Sequence, residues 1–146
     1  MFDDFPEVCF PIRKIDGITK RCIAQTYNNI RTRITLNADQ LTLPTITDSV
    51  ASGSIIKVSS ITGRIRGMRE TTAQGESIRP DFFILDDIQS TEGANSAEQC
   101  RKRLQIINSD VLGLAGAGKK ISGFNLCTVI SKGDVADQLL DKSKHP

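Results

Sequence analysis

The sequence predicts an α/β fold in which a mostly parallel central sheet is flanked by helices. Three observations favour it: an unbroken apolar run at 82–85, a second apolar run at 126–130, and an amphipathic helix between the two. Short apolar runs are typical of parallel strands that are buried on both faces. Strands that alternate with helices along a chain predict a parallel sheet. With 146 residues, of which 38% are hydrophobic, the chain is expected to form one domain with an ordinary core.

The N-terminal part of the chain predicts a short helix followed by a β-meander. The helix would end before Pro11, because the residue preceding a proline disfavours helical geometry. Apolar and polar residues alternate over 31–44, which predicts two short strands joined by Asn37-Ala38-Asp39. A third strand is predicted at 54–59, so the meander would precede the central strand at 82–85.

Two helices are predicted in the C-terminal half. Ser96 is a favourable N-cap, and Gln99 three residues later completes a capping box. Apolar residues then recur at spacings of three and four as far as Leu114, which is typical of an amphipathic helix. A shorter helix is predicted at 135–140, beginning after Gly133-Asp134.

Composition excludes several classes of protein. The 19 basic and 17 acidic residues nearly balance, which does not suggest a chain coated by nucleic acid. A zinc site is not expected, because the only histidine is His145 and the four cysteines form no CxxC pair. We expect free thiols in a reducing cytoplasm, no signal peptide and no membrane span. The cysteines are Cys9, Cys22, Cys100 and Cys127.

Two adjacent carboxylates, Asp86 and Asp87, follow the apolar run at 82–85 directly. Open α/β sheets bind their ligands at the carboxyl ends of the strands. One carboxylate can hold a hydrated Mg²⁺ while the other orients a water against a phosphate, as in the Walker B arrangement of nucleotide hydrolases. The alternative is a buried strand that ends in a solvated acidic turn.

A glycine-rich segment at 113–120 nearly matches the phosphate-loop pattern GxxxxGK(S/T). Lys120 stands where the pattern needs a hydroxyl for Mg²⁺, and the segment follows a predicted helix instead of a strand. Glycines that end a helix explain this segment more simply.

Other polar residues allow two interpretations each. Thr128 is either a β-branched core residue of the second strand or a polar sensor of the γ-phosphate. Three arginines within six residues form a solvated basic loop, or else one of them is an arginine finger or contacts phosphate or DNA. They are Arg64, Arg66 and Arg69. The run 101–103 is expected to be the solvated face of a helix.

Several segments together resemble the ATPase domain of phage terminase large subunits, the motors that package viral DNA. The likeness runs from residue 4 to residue 141 and lies in the order and spacing of the segments. The region before the strand at 82–85 resembles the family's arginine–glycine element. The strand itself, with the two acids that follow it, resembles the family's Walker B motif. The second apolar run resembles the family's coupling motif. The matching segments are 4–9, 11–13, 43–46, 51–53, 61–68, 79–81, 83–87 and 127–130.

The resemblance implies a partial P-loop NTPase of the additional-strand type over residues 1–146, with ATP and Mg²⁺ as cofactors. Asp86 would coordinate Mg²⁺, mainly through water, and would contribute to nucleotide binding. Asp87 would occupy the place of the catalytic acid, where the family more often has Glu. Arg66 would be the catalytic finger that reaches a neighbouring subunit's nucleotide, and Thr128 would sense the nucleotide state.

The resemblance also implies a fragment. The family's phosphate loop lies upstream of the matching region and its metal-dependent nuclease domain lies downstream, and neither has a counterpart here. We therefore expect the central and C-terminal part of the ATPase domain of a motor that translocates DNA into a procapsid, without useful ATP hydrolysis by this chain alone. A phosphate-loop strand would lie beside the strand at 82–85, so its absence predicts an exposed apolar edge and a chain that is either marginally stable or self-associating.

The implied partners of the full motor are double-stranded DNA, a portal protein and a small terminase subunit. The full protein would form a homo-oligomeric ring in the host cytoplasm, with no membrane contact. Two alternatives stay open. The first is a non-enzymatic prophage remnant or binding module that complements a separate P-loop chain. The second is a different nucleotide hydrolase such as a helicase.

Overall fold

The computed structural model describes residues 3–5, 9, 25–63, 65–72 and 75–143. The chain divides into two compact units. The first is Met1–Ser59 with Thr72–Gly75, and the second is Ser60–Thr71 with Glu76–Pro146. Most of the helix that the sequence predicts before Pro11 lies outside the described residues. In the described part of the chain, each helix is too short or too polar to cross a membrane.

Short antiparallel strands build the first unit. Strands β1 and β2 form a hairpin whose turn residues, Asn28 and Asn29, both have positive φ, as a tight hairpin turn requires. Strands β3, β4 and β5 form a three-stranded sheet in that order, which confirms the predicted meander. The strands are β1 Thr26–Tyr27, β2 Ile30–Arg31, β3 Thr35–Leu36, β4 Gln40–Thr42 and β5 Ile55–Lys57.

A buried threonine joins the hairpin to the meander. Thr32 is completely buried, and both its backbone N–H and its hydroxyl donate to the carbonyl oxygen of Gln25, at 3.0 and 3.1 Å. The carbonyl of Thr32 in turn accepts from the backbone N–H of Thr45 at 2.7 Å. These bonds satisfy polar groups that would otherwise be buried without partners.

In its described residues, the second unit contains the remaining four strands and three helices. Strands β6 and β7 form a small antiparallel hairpin, and β8 pairs with β9 in parallel. Helix α2 continues directly into one π-helical turn. The elements are β6 Glu70–Thr71, β7 Ser77–Ile78, β8 Phe82–Asp86, α1 Thr91–Ala94, α2 Ala97–Ile106, the π turn Ile107–Val111, β9 Ser122–Leu126 and α3 Val135–Leu139.

Helix α2 begins where the sequence predicts. The hydroxyl of Ser96 accepts from the backbone N–H of Gln99 at 3.4 Å, which caps the first turn. An exposed ion pair between Glu98 and Lys102 lies on the outer face of the helix at 2.7 Å. The helix is shorter than predicted, because the π turn interrupts it after residue 106. Ile107 and Val111 in that turn are still buried, so the apolar residues predicted for the helix face do pack in the core.

Only one face of the β8–β9 sheet is covered within the described residues. Phe83 and Leu85 of β8 pack against two small apolar cores, one around Ile107 and Val135 and the other around Val111. The β8 residues that alternate with Phe83 and Leu85 are exposed, and so is every residue of β9. The prediction that both strands are buried on both faces is therefore wrong for this structure.

The predicted P-loop fold class remains a prediction. Among the described strands, parallel pairing is confined to β8 and β9, and the other three sheets are antiparallel. The order strand, helix, strand, helix from β8 to α3 agrees with the predicted order of elements.

Gly123 lets the two parallel strands approach. It pairs with Phe83, and the ring of Phe83 lies over the space that a side chain at 123 would occupy. A Cβ atom there would lie 2.5 Å from the carbonyl oxygen of Phe83 and 2.6 Å from two of its ring carbons. Neither group can move freely, since one belongs to the strand backbone and the other packs in the core.

We expect Gly123→Ala to destabilise the second unit by about 1–3 kcal/mol, because the added methyl group overpacks the strand pair. Urea denaturation followed by circular dichroism measures the change. Ser122→Ala, an exposed neighbour on the same strand, is the matched control and should change stability by less than about 0.5 kcal/mol. Equal stability of Gly123→Ala and the wild type would contradict the observed packing.

Candidate functional site

The two acids lie where strand β8 ends. The register pairs Asp86 with Leu126, the last residue of β9. The backbone N–H of Asp87 then donates to the carbonyl oxygen of Leu126 at 2.9 Å. Asp87 has a positive φ of 46°, a conformation that Asp tolerates better than most residues. The strand therefore turns sharply at Asp87, and both carboxylates are exposed at the carboxyl end of the sheet.

Thr128 lies in the loop that follows β9, not at the centre of the strand. The sequence predicts the strand at 126–130, whereas β9 spans Ser122–Leu126. Beyond the strand, the backbone N–H groups of Ile130 and Ser131 donate to the carboxylate of Asp134. Those N–H groups are thus removed from any strand ladder. The interpretation of Thr128 as a core residue is wrong, since Thr128 is exposed.

A buried glutamine joins the segments that leave the two strands. The Nε2 group of Gln89 donates to the carbonyl oxygen of Thr128 at 2.9 Å and to Oδ2 of Asp134 at 3.0 Å. Its Oε1 atom accepts from the backbone N–H of Val135 at 3.0 Å. Gln89 follows β8 by three residues, so it ties the acid-bearing turn to the loop that carries Thr128. All of these polar groups are satisfied, which makes a buried network favourable.

The carboxylate of Asp134 is the centre of this network and is completely buried. Its Oδ2 atom accepts from the N–H groups of Ile130 and Ser131 at 2.6 and 2.9 Å, besides Gln89. Its Oδ1 atom accepts from the N–H of Asp137 at 2.8 Å and so caps helix α3. Burial alone would raise the pKa of Asp134, but these hydrogen bonds outweigh it and hold the pKa below its usual value.

Cys127 lies between the acids and the network. Burial raises the pKa of its thiol, and the negative charges of Asp134 and Asp87 raise it further. The thiol is therefore protonated at neutral pH, which makes Cys127 a poor nucleophile and a poor metal ligand.

Arg66 is not joined to the acids. It is exposed in the turn between buried Ile65 and Gly67, whose φ is 78°. The hydrogen bonds and ion pairs described for this chain connect Arg66 to neither Asp86 nor Asp87, and Arg64 lies outside the described residues. The described residues also contain no group of three or more His, Cys, Asp or Glu side chains that could hold a metal. Any metal here would therefore rely on few protein ligands and on water.

The glycine-rich segment at 113–120 lies just after the end of a helix. It follows the π turn and precedes β9, and both Gly116 and Gly118 have positive φ, at 92° and 72°. The side chain of Arg79 lies against Gly116, where a Cβ atom would be 3.0 Å from Cδ of Arg79. The prediction that this segment follows a helix and precedes a strand is confirmed.

Sequence reasoning missed the role of two residues. Asp134 is identifiable as a helix N-cap, but its position does not reveal that it also holds the loop after β9. Gln89 has no sequence signal beyond its place three residues after a strand. Its role depends on contacts 39 to 46 residues away along the chain.

Comparisons of the chain with models of protein families, with curated proteins and with solved structures find no match. The resemblance to terminases therefore rests on the sequence motifs.

We expect Asp134→Asn to destabilise the second unit by about 2 kcal/mol at pH 7. An Asn side chain places an N–H₂ group against backbone donors, so buried N–H groups lose their acceptor. Urea denaturation measures the effect. Asp137→Asn is the comparison, because its carboxylate accepts from the exposed N–H of Gly133, and we expect a loss below about 1 kcal/mol.

The effect of Asp134 should depend on pH. A carboxyl group whose folded-state pKa is depressed stabilises the fold above its usual pKa, here 3.8, and this stability is lost as the pH falls through the lower folded-state pKa. The difference in stability between the wild type and Asp134→Asn should therefore shrink below about pH 4. A difference that stays constant from neutral pH to strongly acidic pH would contradict the bonding described here.

Proposed function

We propose that this chain supplies the metal-binding and water-orienting side of the active site in a phage DNA-packaging ATPase of the terminase large-subunit type. One observation carries the proposal. The acid pair 86–87 at the end of β8 and the loop that carries Thr128 after β9 lie at the same end of a parallel strand pair. Nucleotide hydrolases of the open α/β class use this end of the sheet.

The two carboxylates suit different tasks. Asp86 is the last residue of β8 and is exposed, so it can hold a hydrated Mg²⁺ largely through water. Asp87 lies on the turn, with its backbone fixed by the bond to Leu126, so its carboxylate can orient a water for attack on a phosphate. When bound, Mg²⁺ would neutralise charge that develops on the phosphates.

Thr128 is suited to report the state of the acid site. Its backbone carbonyl is held by Gln89, which follows the acids by two residues. A displacement of the turn at 86–87 would therefore be passed to the loop after β9 through one hydrogen bond. This chain of contacts would couple nucleotide state to movement in the motor.

The groups that bind the phosphates would come from outside this sequence. No GxxxxGK(S/T) pattern occurs in the 146 residues, so the ground-state binding of ATP is not provided here. We therefore propose that the chain alone does not turn over ATP. Arg66, which is exposed, would act as a finger toward a neighbouring subunit in a ring. Double-stranded DNA, a portal protein and a small terminase subunit would be partners of the full motor in the host cytoplasm.

A second candidate is a non-enzymatic module that complements a separate P-loop chain, or a prophage remnant of such a motor. The uncovered apolar face of the β8–β9 sheet favours it, because parallel sheets are covered on both faces in stable α/β domains. In this case the two acids would act only after a partner chain completes the sheet.

Binding of Mn²⁺, a paramagnetic substitute for Mg²⁺, tests the role of Asp86. We expect Mn²⁺ to broaden the backbone amide signals of residues 85–88 and 127–129 selectively in NMR spectra, because both segments lie at one end of the sheet. In Asp86→Asn the selective broadening should weaken at least about tenfold, since the metal loses its main carboxylate ligand.

Asp81→Asn is the matched control. Asp81 is an exposed acid that precedes the same strand, at its opposite end, so the substitution removes equal charge without touching the site. It should leave the broadening unchanged. Equal effects of the two substitutions, or Mg²⁺-dependent ATP turnover by the purified chain that disappears in Asp86→Ala, would overturn the proposal as stated.

A further inference from the structure

We infer that two copies of this chain associate through the uncovered face of the β8–β9 sheet, stacked face to face with their strands antiparallel. This β8–β9 face consists of Phe82, Ile84, Phe124 and Leu126. The inference goes beyond the proposed function, because it involves neither nucleotide nor metal.

The four side chains lie on one side of the sheet. The register pairs residue 82 with 122, 84 with 124 and 86 with 126, and residues that alternate along parallel strands share a face. The exposed fractions are 48% for Phe82, 62% for Ile84, 63% for Phe124 and 56% for Leu126. The rings of Phe82 and Phe124 meet edge to face, with centroids 5.6 Å apart, so the patch is continuous.

The area of the face suits a homodimer. Large apolar side chains each have about 150–250 Å² to bury, so four of them exposed by half to two thirds present roughly 500 Å². That is at the upper end of apolar patches on monomeric proteins. Two copies stacked on this face would bury roughly 1,000 Å², the lower limit for a biological interface, so the dimer should be weak and reversible.

The charges at the two ends of the face specify the orientation. Because both strands run in the same direction, Asp86 and Asp87 lie together at the carboxyl end. At the opposite end, three basic residues precede the strands, namely Arg79, Lys119 and Lys120. One acid, Asp81, is close to Arg79 in sequence.

When a two-fold axis between the stacked faces relates the two copies, each end of one face meets the opposite end of the other. The face is then complementary to itself. Antiparallel stacking brings the acids of each copy toward the basic end of the other, whereas parallel stacking would bring like charges together. Ile84 and Phe124 then lie near the axis, where each contacts its own counterpart, as in an isologous interface. Sheets packed in this way lie about 10 Å apart, which allows the side chains of the two faces to interdigitate.

Sedimentation velocity of the full chain across a range of concentrations tests the inference. We expect a reversible monomer–dimer equilibrium and a dimer constant weakened at least tenfold by Ile84→Glu. Ile56→Glu is the matched control, because Ile56 is also a strand isoleucine, 50% exposed, in the first unit. A wild type that stays monomeric, polydisperse aggregates, or equal effects of the two substitutions would overturn the inference.

Charge exchange tests the orientation with variants that keep the apolar face intact. Asp86→Lys and Lys120→Asp should each weaken the dimer, and the double variant should recover most of the loss. A double variant that is weaker than either single variant would overturn the antiparallel arrangement. Circular dichroism of each variant establishes that it is folded, and the readout is independent of whether the chain belongs to an ATPase.

Discussion

The buried carboxylate of Asp134 is the interaction on which the site depends. It accepts from backbone N–H groups on both sides of the loop after β9 and from Gln89 after β8. A buried charge is tolerated only where it is fully hydrogen-bonded, so these donors must stay in place for the fold to persist. The same bonds hold the loop after β9, begin helix α3 and keep the segment after the acids beside Thr128. A single carboxylate thus fixes the geometry of the carboxyl end of the sheet.

The parallel direction of β8 and β9 gives this small sheet two distinct ends and two distinct faces. One face packs on the cores through Phe83 and Leu85, and the other presents aromatic and aliphatic side chains to solvent. The carboxyl end carries adjacent acids. The proposed ATPase role depends on that end, and the proposed dimer depends on the open face. Both follow from the same pairing, but they use different side chains, apart from Asp86, which contributes charge to each.

Much of the local structure could be predicted from the sequence, because its causes are local. The meander at β3–β5, the cap at Ser96 and the start of α3 follow from alternation and capping residues. The two asparagines at 28–29 are typical of a tight hairpin turn, so the hairpin β1–β2 could also have been predicted. The bounds of β9 could not be predicted from its apolar run, which extends to Ile130, because they are set by pairing with the distant strand β8. The network of Gln89 and the space that Gly123 leaves for Phe83 also depend on residues far apart in sequence, which periodicity cannot detect.

The candidate site requires that β8 and β9 pair in a register that brings the acids beside the end of β9. Nuclear Overhauser effects between backbone protons of the two strands measure that register directly. We predict cross-strand contacts that join Ile84 with Phe124 and Asp86 with Leu126. Contacts that join β8 with residues 126–130, the strand favoured by the apolar pattern, would contradict it. In that register the Asp134 carboxylate could not hold the N–H groups of Ile130 and Ser131, and the site described here would not form.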